Sequence, residues 1–387
     1  MDSYTNDIQA ITQHTIPFEF TGSSREYFSI WIVNVLLTIL TLGIYSPWAK
    51  VRTHQYFYGN TRLDGASFRY LARPTQILKG RIIALVVFTA YYFSGLISPI
   101  ATGITIILIA LLVPAMVVMS MSFQLRNTLH RNIKFNFQKN FKRAYTIFAY
   151  PLLFVVPYFL LITFFQNDLQ PNAVTAENKT EIPSLIFLFA ILPLAITCLF
   201  PLWQYMIIKF KSSHAHFGET GFSFSGTVVS LYGIYLRALL ILLSLGMLGG
   251  LGYTFATDGE GNPFAKQFIV LLFGFLLIIF LYLWLFSYIQ TKKTNFIFGN
   301  LNIAGHRVQS ELEVGTMLFL YITNTLAITA SLGLLTPWAK IRTARYRAAM
   351  TSIVVAGSLD NFFGTQPEGQ SAFGEEMGEV FDMDLSF

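Results

Sequence analysis

Long apolar runs alternate along this chain with short segments that are basic and rich in aromatic residues. Six of the runs are long enough to cross a bilayer as a helix, which takes about 20 apolar residues. They lie at about 82–98, 101–121, 145–165, 184–208, 228–252 and 267–289. Two further runs, at 27–46 and 314–336, end in nearly identical sequences. The pattern predicts an all-α integral membrane protein with eight apolar segments.

The two shorter runs carry an internal repeat. The sequence PWAKVRT at 47–53 returns as PWAKIRT at 337–343, and Asn34 and Asn324 keep the same offset. The members of the repeated motif are Gly43, Pro47, Trp48, Lys50 and Arg52, matched by Gly333, Pro337, Trp338, Lys340 and Arg342. Its basic side chains are candidate contacts for anionic lipid phosphate. The alternative is that they determine topology and bind nothing.

The segments between the apolar runs fall into two classes. Basic residues strongly outnumber acidic ones at 50–81 and 122–144, whereas the linkers at 166–183 and 253–266 are slightly acidic. The positive-inside rule places the basic segments in the cytoplasm. Alternating aromatics beside turn residues, as in Phe68-x-Tyr70 and Phe135-x-Phe137, indicate short cytoplasmic β-hairpins. We therefore expect five related units, each a hairpin, a membrane excursion and a basic return.

The number of times that the two terminal runs cross the membrane decides on which side the repeated motif lies. If 314–336 crossed the membrane once, Lys340 and Arg342 would lie outside, against the charge rule. We therefore expect six full transmembrane helices plus two re-entrant or short segments, and eight simple spans are the alternative. The expected organisation is a cytoplasmic N-terminal segment at 1–26, a repeat-built membrane domain at 27–356 and an acidic, disordered tail at 357–387. Both termini are then cytoplasmic.

The composition is that of a membrane protein, and the sequence contains few residues in patterns typical of catalytic or metal sites. Hydrophobic residues make up 54% of the chain and charged residues 12%, against about 25% charged in soluble domains. Cys198 is the single cysteine, which excludes a disulfide framework. No HExxH, GxSxG, P-loop or GxGxxG motif is present. We expect no enzyme activity, catalytic residue, metal or cofactor, and no nucleic-acid partner because the basic residues adjoin the membrane.

Four polar residues inside the apolar runs are candidate substrate or lipid contacts: Arg237, Asn34, Asn324 and Gln204. A charge such as Arg237 within a span either faces a functional site or reaches the interface along its own stem. The amides either bond neighbouring helices or contact a substrate. Asn34 and Asn324, being equivalent, are also candidates to face each other across a pseudo-symmetric centre.

The N-terminal stretch resembles a known family. The sequences FEFTGSSREYFSIWIVN at 18–34 and TLGIYSPWAKVRTHQYFYGNTRLDGASFRY at 41–70 are similar to the YjgN-like family of bacterial inner-membrane proteins. The resemblance extends over nearly the whole chain, including the second PWAK copy. It implies a multi-pass protein of the inner membrane, and no activity, because the family is a domain of unknown function.

Two functions follow as expectations. Repeats and re-entrant segments are typical of transporters, which suggests transport or permeation of a small or anionic solute. The alternative is a non-transporting membrane scaffold or anionic-lipid-binding protein. The expected partners are membrane lipids, including anionic ones. A cytoplasmic protein partner and the oligomeric state stay open.

Overall fold

The computed structural model describes residues 13–151, 182–257 and 263–356. Its strands are β1 Gln13–Phe20, β2 Thr61–Leu63, β3 Ala66–Tyr70, β4 Thr128–His130, β5 Ile133–Phe137, β6 Ala215–Phe217, β7 Thr220–Phe224, β8 Leu301–Ile303, β9 His306–Ser310 and β10 Thr351–Ala356. Its helices are α1 Ser24–Leu40, α2 Ser46–Asn60, α3 Pro74–Ile97, α4 Pro99–Arg126, α5 from residue 141 and described to 151, α6 Ile182–Ser213, α7 Val228–Thr257, α8 Pro263–Gly299, α9 Val314–Ala330 and α10 Thr336–Ala349. The tail predicted at 357–387 lies outside the described residues.

The described strands form one closed antiparallel barrel. They follow each other around it in chain order, and β10 returns to pair with β1. In the closing pair Ile16 lies opposite Ile353, and on its other side β1 places Phe18 opposite Leu63. The prediction of an all-α protein with separate small hairpins is wrong in this respect. Each hairpin pairs its outer edges with the neighbouring units, so that none of the described strands keeps an unpaired edge.

Tight turns make the hairpins that build the barrel. Between β2 and β3 the turn residues Asp64 and Gly65 both have positive φ, +50° and +73°, and Arg131 and Asn132 repeat this between β4 and β5. Two positive φ values in a two-residue loop are the mark of the turn whose twist matches paired strands. The short loop thus fixes the register of these hairpins.

The helices α1 and α2, and their repeat equivalents α9 and α10, form two helical hairpins. Gly43 and Gly333 lie in the turns with φ of +91° and +92°, a conformation that glycine adopts at little cost. The N–H of Gly43 donates to the Thr38 carbonyl at 2.7 Å, and that of Gly333 to the Ile328 carbonyl at 2.8 Å. Both ends of each hairpin join barrel strands. Each hairpin therefore leaves the barrel and returns to it on the same side. Whether the two segments re-enter the membrane or span it stays a prediction.

Five described helices are long and apolar enough to cross a membrane. They cover Pro74–Ile97, Pro99–Arg126, Pro193–Ser213, Val228–Tyr253 and Val270–Gly299. The sixth predicted run, 145–165, lies mostly outside the described residues, so the number of spans stays a prediction. Away from the barrel the helices expose large apolar side chains, for example Leu239, Leu240 and Leu243. A surface of this kind needs lipid to cover it.

The first and last units of the chain contact each other where the barrel closes. The helix α10 contacts both α1 and β1, and the Arg345 guanidinium donates to the Gly22 carbonyl at 3.2 Å. Neighbouring units also share buried cores beside the barrel wall. One such core consists of Val51, Tyr70, Ala72, Ile77 and Phe123. The membrane helices are thus anchored to the barrel at one end.

Candidate ligand cavity in the barrel

One side chain from each strand points into the barrel and forms a layer there. In chain order the layer consists of Phe18, Leu63, Phe68, His130, Phe135, Phe217, Phe222, Ile303, Val308 and Ile353. Residues i and i+2 of a strand face the same side of a sheet, so both rings of a Phe-x-aromatic pair lie on the inward face. The first ring lies in the layer, and the second lies nearer the helices, as Tyr70 does in its core with Val51 and Phe123. We call this set the lumen layer. It is apolar except at His130.

Aromatic contacts hold the lumen layer together. The Phe68 ring lies 4.5 Å from His130 and the Phe135 ring 4.8 Å from Phe217, measured between ring centroids. The Phe222 ring extends the stack, 6.3 Å from Phe135. These distances are those of favourable aromatic pairs. The rings therefore line the barrel wall in fixed positions.

The lumen layer surrounds a cavity of about 680 Å³. On its other side the cavity is lined by residues from the last turns of α2, α4, α8 and α10, among them Tyr58, Leu125, Phe298 and Ala348. The cavity thus extends from the strands to the ends of these helices. Its size is that of known small-molecule sites, about 300–1,000 Å³. Among the described lining residues Arg347 supplies a permanent charge.

Two lumen-facing histidines are neutral at physiological pH. Burial, together with the neighbouring Arg131 charge, lowers the pKa of His130 from 6.5 to about 4, and this residue is only 2% exposed. Burial and the proximity of His14 lower the pKa of His306. An apolar surrounding disfavours the charged imidazolium. The barrel wall therefore presents no positive charge from these rings at neutral pH.

The repeated motif begins the second helix of each helical hairpin. Pro47 and Pro337 are fully buried there. Trp48 stacks on Tyr45 with ring centroids 6.0 Å apart, and Trp338 is partly exposed. Lys50 and Lys340 follow within the same helices; Lys50 is half-buried and Lys340 is exposed. These positions fit an interfacial role, and no described contact identifies a ligand.

The two motif arginines differ in their contacts. Arg342 donates to the Thr323 hydroxyl at 2.6 Å and lies over the Trp338 ring, 5.2 Å from its centroid. Its equivalent Arg52 lies 5.8 Å from the Tyr45 ring centroid and borders an open groove of about 480 Å³ with Val33. Val33 stands where the second copy has Thr323, and it offers no acceptor. Among the described residues, the second copy therefore hydrogen-bonds its arginine internally, whereas the contact of Arg52 is with an aromatic ring.

The two asparagines pack their own helical hairpins. The side chain of Asn324 donates to Thr343 at 3.1 Å and approaches the Ala339 carbonyl at 3.4 Å. Asn34 donates to the Ala49 carbonyl at 3.4 Å, while its buried Oδ1 atom has no hydrogen-bond partner. The described amide contacts thus stay within each hairpin, not between Asn34 and Asn324. A substrate role for either residue stays a prediction.

Gln204 and Arg237 have different surroundings. The Gln204 carbonyl oxygen accepts from the Lys293 ammonium at 2.9 Å, which links α6 to α8. Arg237 is exposed on α7, where no described residue pairs with it. The structure therefore places Gln204 beside the Lys293 ammonium and leaves Arg237 apart from both residues.

Sequence reasoning missed the cavity itself. The signal was present in the repeated aromatics at Phe68, Phe135 and Phe222, whose common spacing also recurs at Phe18. Each is followed two residues later by a second aromatic ring, and this spacing indicates an aromatic face on each of these strands. That the rings share one lumen depends on the closing pair β1–β10, between residues more than 330 positions apart.

Comparison with known proteins assigns the chain to a family. A family model described as a bacterial protein of unknown function (DUF898) matches residues 15–380. The inner membrane protein YjgN of Salmonella typhimurium is 28% identical over 384 residues, 94% of each chain. The inner membrane protein YjgN of Escherichia coli K12 is 25% identical over 383 residues, 91% of this chain and 92% of the relative. No solved structure matches. These relatives and the apolar helices place the protein in the bacterial inner membrane.

Proposed function

We propose that this member of the DUF898 family, the bacterial proteins of unknown function to which the chain belongs, binds an anionic amphiphile whose apolar chain enters the barrel. The supporting observation is the lumen layer, with an apolar side chain on every strand except the one that carries His130. An apolar cavity of about 680 Å³ gains free energy by taking hydrocarbon out of water. The helices α4 and α8 contribute lining residues to the cavity and expose apolar side chains farther along their length, so such a chain would come from the lipid around them.

The same lining argues against a path for a hydrated solute. Phe68, Phe135 and Phe222 offer no group that could replace the hydration of an ion, and apolar constrictions block ions by excluding water. Of the functions expected from the sequence, lipid binding is thus better supported than solute transport. Transport, a scaffolding role for the acidic tail and the absence of enzyme activity stay predictions.

Photolabelling tests the proposal directly. A fatty acid with a diazirine at the end of its chain is added to the full-length protein in vesicles, irradiated, and mapped by mass spectrometry. We expect labels on the strand peptides 128–137 and 215–224, because only a chain inside the barrel reaches them. Labels confined to α3, α4, α7 and α8 would contradict the proposal, since ordinary bilayer contact produces them.

A Val308→Phe variant supplies a matched control for that labelling. Val308 stands where four other units carry Phe18, Phe68, Phe135 and Phe222, so a ring there suits the barrel. The added ring occupies part of the cavity. We expect labelling of the strand peptides to fall and labelling of the helices to stay constant.

We further propose that the barrel and both termini lie in the cytoplasm. The support is the basic character of the segments that carry the hairpins, together with the return of each helical hairpin to the barrel. In a Cys198→Ala background, Arg25→Cys and Lys340→Cys should react with an impermeant maleimide in inverted vesicles and stay unlabelled in intact spheroplasts. Labelling of Lys340→Cys alone in spheroplasts would favour eight simple spans.

A further inference from the structure

An open groove runs between the two helices of the first helical hairpin, outside the barrel. It has a volume of about 480 Å³ and is lined by Ser29, Ile30, Val33, Arg52, Gln55 and Tyr56. The helix α1 contributes two apolar side chains and a hydroxyl, and α2 contributes a guanidinium, an amide and a phenol. Among these lining residues Arg52 carries the permanent charge. The groove therefore offers hydrogen-bond donors beside an apolar wall.

The second helical hairpin carries different residues at the equivalent place. Phe319 and Thr323 stand where the first copy has Ser29 and Val33. The repeat equivalent of the groove arginine, Arg342, donates to the Thr323 hydroxyl at 2.6 Å and lies 5.4 Å from the Phe319 ring centroid. The two exchanges thus remove a hydroxyl and a ring that hold the arginine in the second copy.

Arg52 consequently has surroundings that differ from those of its repeat equivalent. Among the described residues its contact is with the Tyr45 ring, 5.8 Å from the centroid. The Asn324 oxygen lies 3.5 Å from Arg342, whereas the corresponding buried oxygen of Asn34 has no hydrogen-bond partner. A guanidinium carries several N–H donors in a planar fork. In the first copy these donors stay available at an exposed position to a group from outside the chain.

The position of the groove along the hairpin favours a membrane lipid as the source of that group. Beyond the groove the hairpin exposes a tip of large apolar side chains, namely Leu36, Ile39, Leu40, Leu42 and Ile44. Such a surface needs lipid to cover it. From Val33 to the turn at Leu42 the chain extends about 13 Å, at a helical rise of about 1.5 Å per residue. The hydrocarbon of one leaflet is about 15 Å thick, so a tip immersed in one leaflet leaves the groove at the level of the lipid phosphates.

The charges along the groove are positive on balance. On α1, Arg25 precedes Ser29 by one helical turn, and residues at this spacing share a helix face; the second copy has Gly315 there. The carboxylate of Glu26 accepts a hydrogen bond from the Tyr56 hydroxyl at 3.2 Å, at the end of the groove nearer the barrel. With two arginines and one carboxylate, the surroundings of the groove favour an anion.

We infer that Arg52 binds the phosphate of an anionic phospholipid from the cytoplasmic leaflet, and that the second hairpin has no such site. A guanidinium binds phosphate oxygens in a bidentate way, and Ser29 and Gln55 offer neutral donors beside it. Ile30 and Val33 provide an apolar wall for the start of the acyl chains. The site lies outside the barrel. It therefore uses the proposed cytoplasmic orientation but does not depend on a ligand in the lumen.

Headgroup photolabelling tests this site against its own repeat. Full-length protein is placed in phosphatidylcholine vesicles that contain phosphatidylglycerol with a diazirine on the headgroup, irradiated, and mapped by mass spectrometry. We expect label on 25–33 and 50–56 to exceed label on 315–323 and 340–346 at least about fivefold, the order expected for one charge-assisted bond in an open groove. Equal label on both hairpins would overturn the inference, because ordinary contact with the bilayer produces that result.

Variants that exchange the two copies supply the controls. Arg52→Gln removes the cation and should reduce the excess of label to less than about twofold. Ser29→Phe/Val33→Thr keeps the arginine, gives it the partners that the second copy has, and should reduce the excess equally. Arg342→Gln, on the other hairpin, should leave label on the first unchanged. If Ser29→Phe/Val33→Thr kept the wild-type excess, the lipid would not occupy the groove and the inference would be wrong.

The reciprocal exchange and a competitor complete the test. Phe319→Ser/Thr323→Val opens the second copy, and we expect label on 315–346 to rise, a gain that misfolding of the first hairpin does not produce. Excess unlabelled phosphatidylglycerol should displace the probe, and millimolar inorganic phosphate should not. Displacement by inorganic phosphate would show a site for a soluble anion and overturn the lipid assignment. The lumen is read separately, from chain-end label on 128–137 and 215–224, so failure of one proposal leaves the other standing.

Discussion

Replacing His130 by leucine is expected to remove about 3 kcal/mol of acid-induced destabilisation between pH 7 and pH 4. The pKa of His130 falls from 6.5 to about 4 on folding. Between these values the unfolded chain binds a proton that the folded barrel does not, so stability decreases as the pH falls through this window. Each pKa unit corresponds to about 1.4 kcal/mol. Below pH 4 both states are protonated and the loss stops growing.

Leucine suits this position because Leu63 occupies the equivalent place on β2. Denaturant unfolding of the detergent-solubilised chain at pH 7 and pH 4 measures the difference for wild type and variant. His216→Leu, on the adjacent hairpin and outside the cavity lining, is the matched control and should keep the wild-type acid response. An identical acid loss in wild type and His130→Leu would show that the imidazole is not held neutral by the lumen.

Asn324→Leu is expected to cost about 2 kcal/mol, and Asn34→Leu less than about 1 kcal/mol, although the two residues are repeat equivalents. Asn324 bonds Thr343 at 3.1 Å, and Arg342 lies 3.5 Å from its Oδ1 atom. Losing these contacts removes interhelical bonds and leaves Arg342 with fewer partners. The Oδ1 atom of Asn34 is buried and unbonded, so an apolar side chain of similar size removes an existing penalty there.

The loss of stability is measured for both asparagine variants in the same assay, from the thermal unfolding midpoint or from denaturant unfolding. A larger loss for Asn324→Leu follows from the different contacts of the two amides, each of which faces a second helix that begins with the same PWAK motif. Equal losses would mean that the amide contributes through its own helix and not through the contacts that distinguish the two copies. A larger loss for Asn34→Leu would instead suggest that its free oxygen binds a group from outside the chain.

The described lining makes the cavity an amphipathic site. The lumen layer provides an apolar interior, and Arg347 supplies a permanent charge among the lining residues. The site is lined by the ends of helices and by the barrel strands that follow them. Five repeated units can therefore make a single central site, although no single unit contains it.

The sequence alone determined the membrane class, the repeat and the local elements. Apolar runs of spanning length, the basic character of alternate segments and the matched Gly43 and Gly333 turns are local properties, and each follows from the residues within one short segment. The hairpins at Asp64-Gly65 and their alternating aromatics were also readable locally. The family resemblance predicted the inner membrane, and the relatives confirm it.

Only the tertiary structure decided that the hairpins form one closed barrel. Closure depends on β1 pairing with β10 and on Arg345 reaching Gly22, contacts between the two ends of the described chain. Backbone pairing carries little information about which partner a strand takes, because every strand offers the same N–H and C=O groups. For that reason the inward rings of Phe68, Phe135 and Phe222 could be recognised from the sequence as a pattern, while the cavity they share could not.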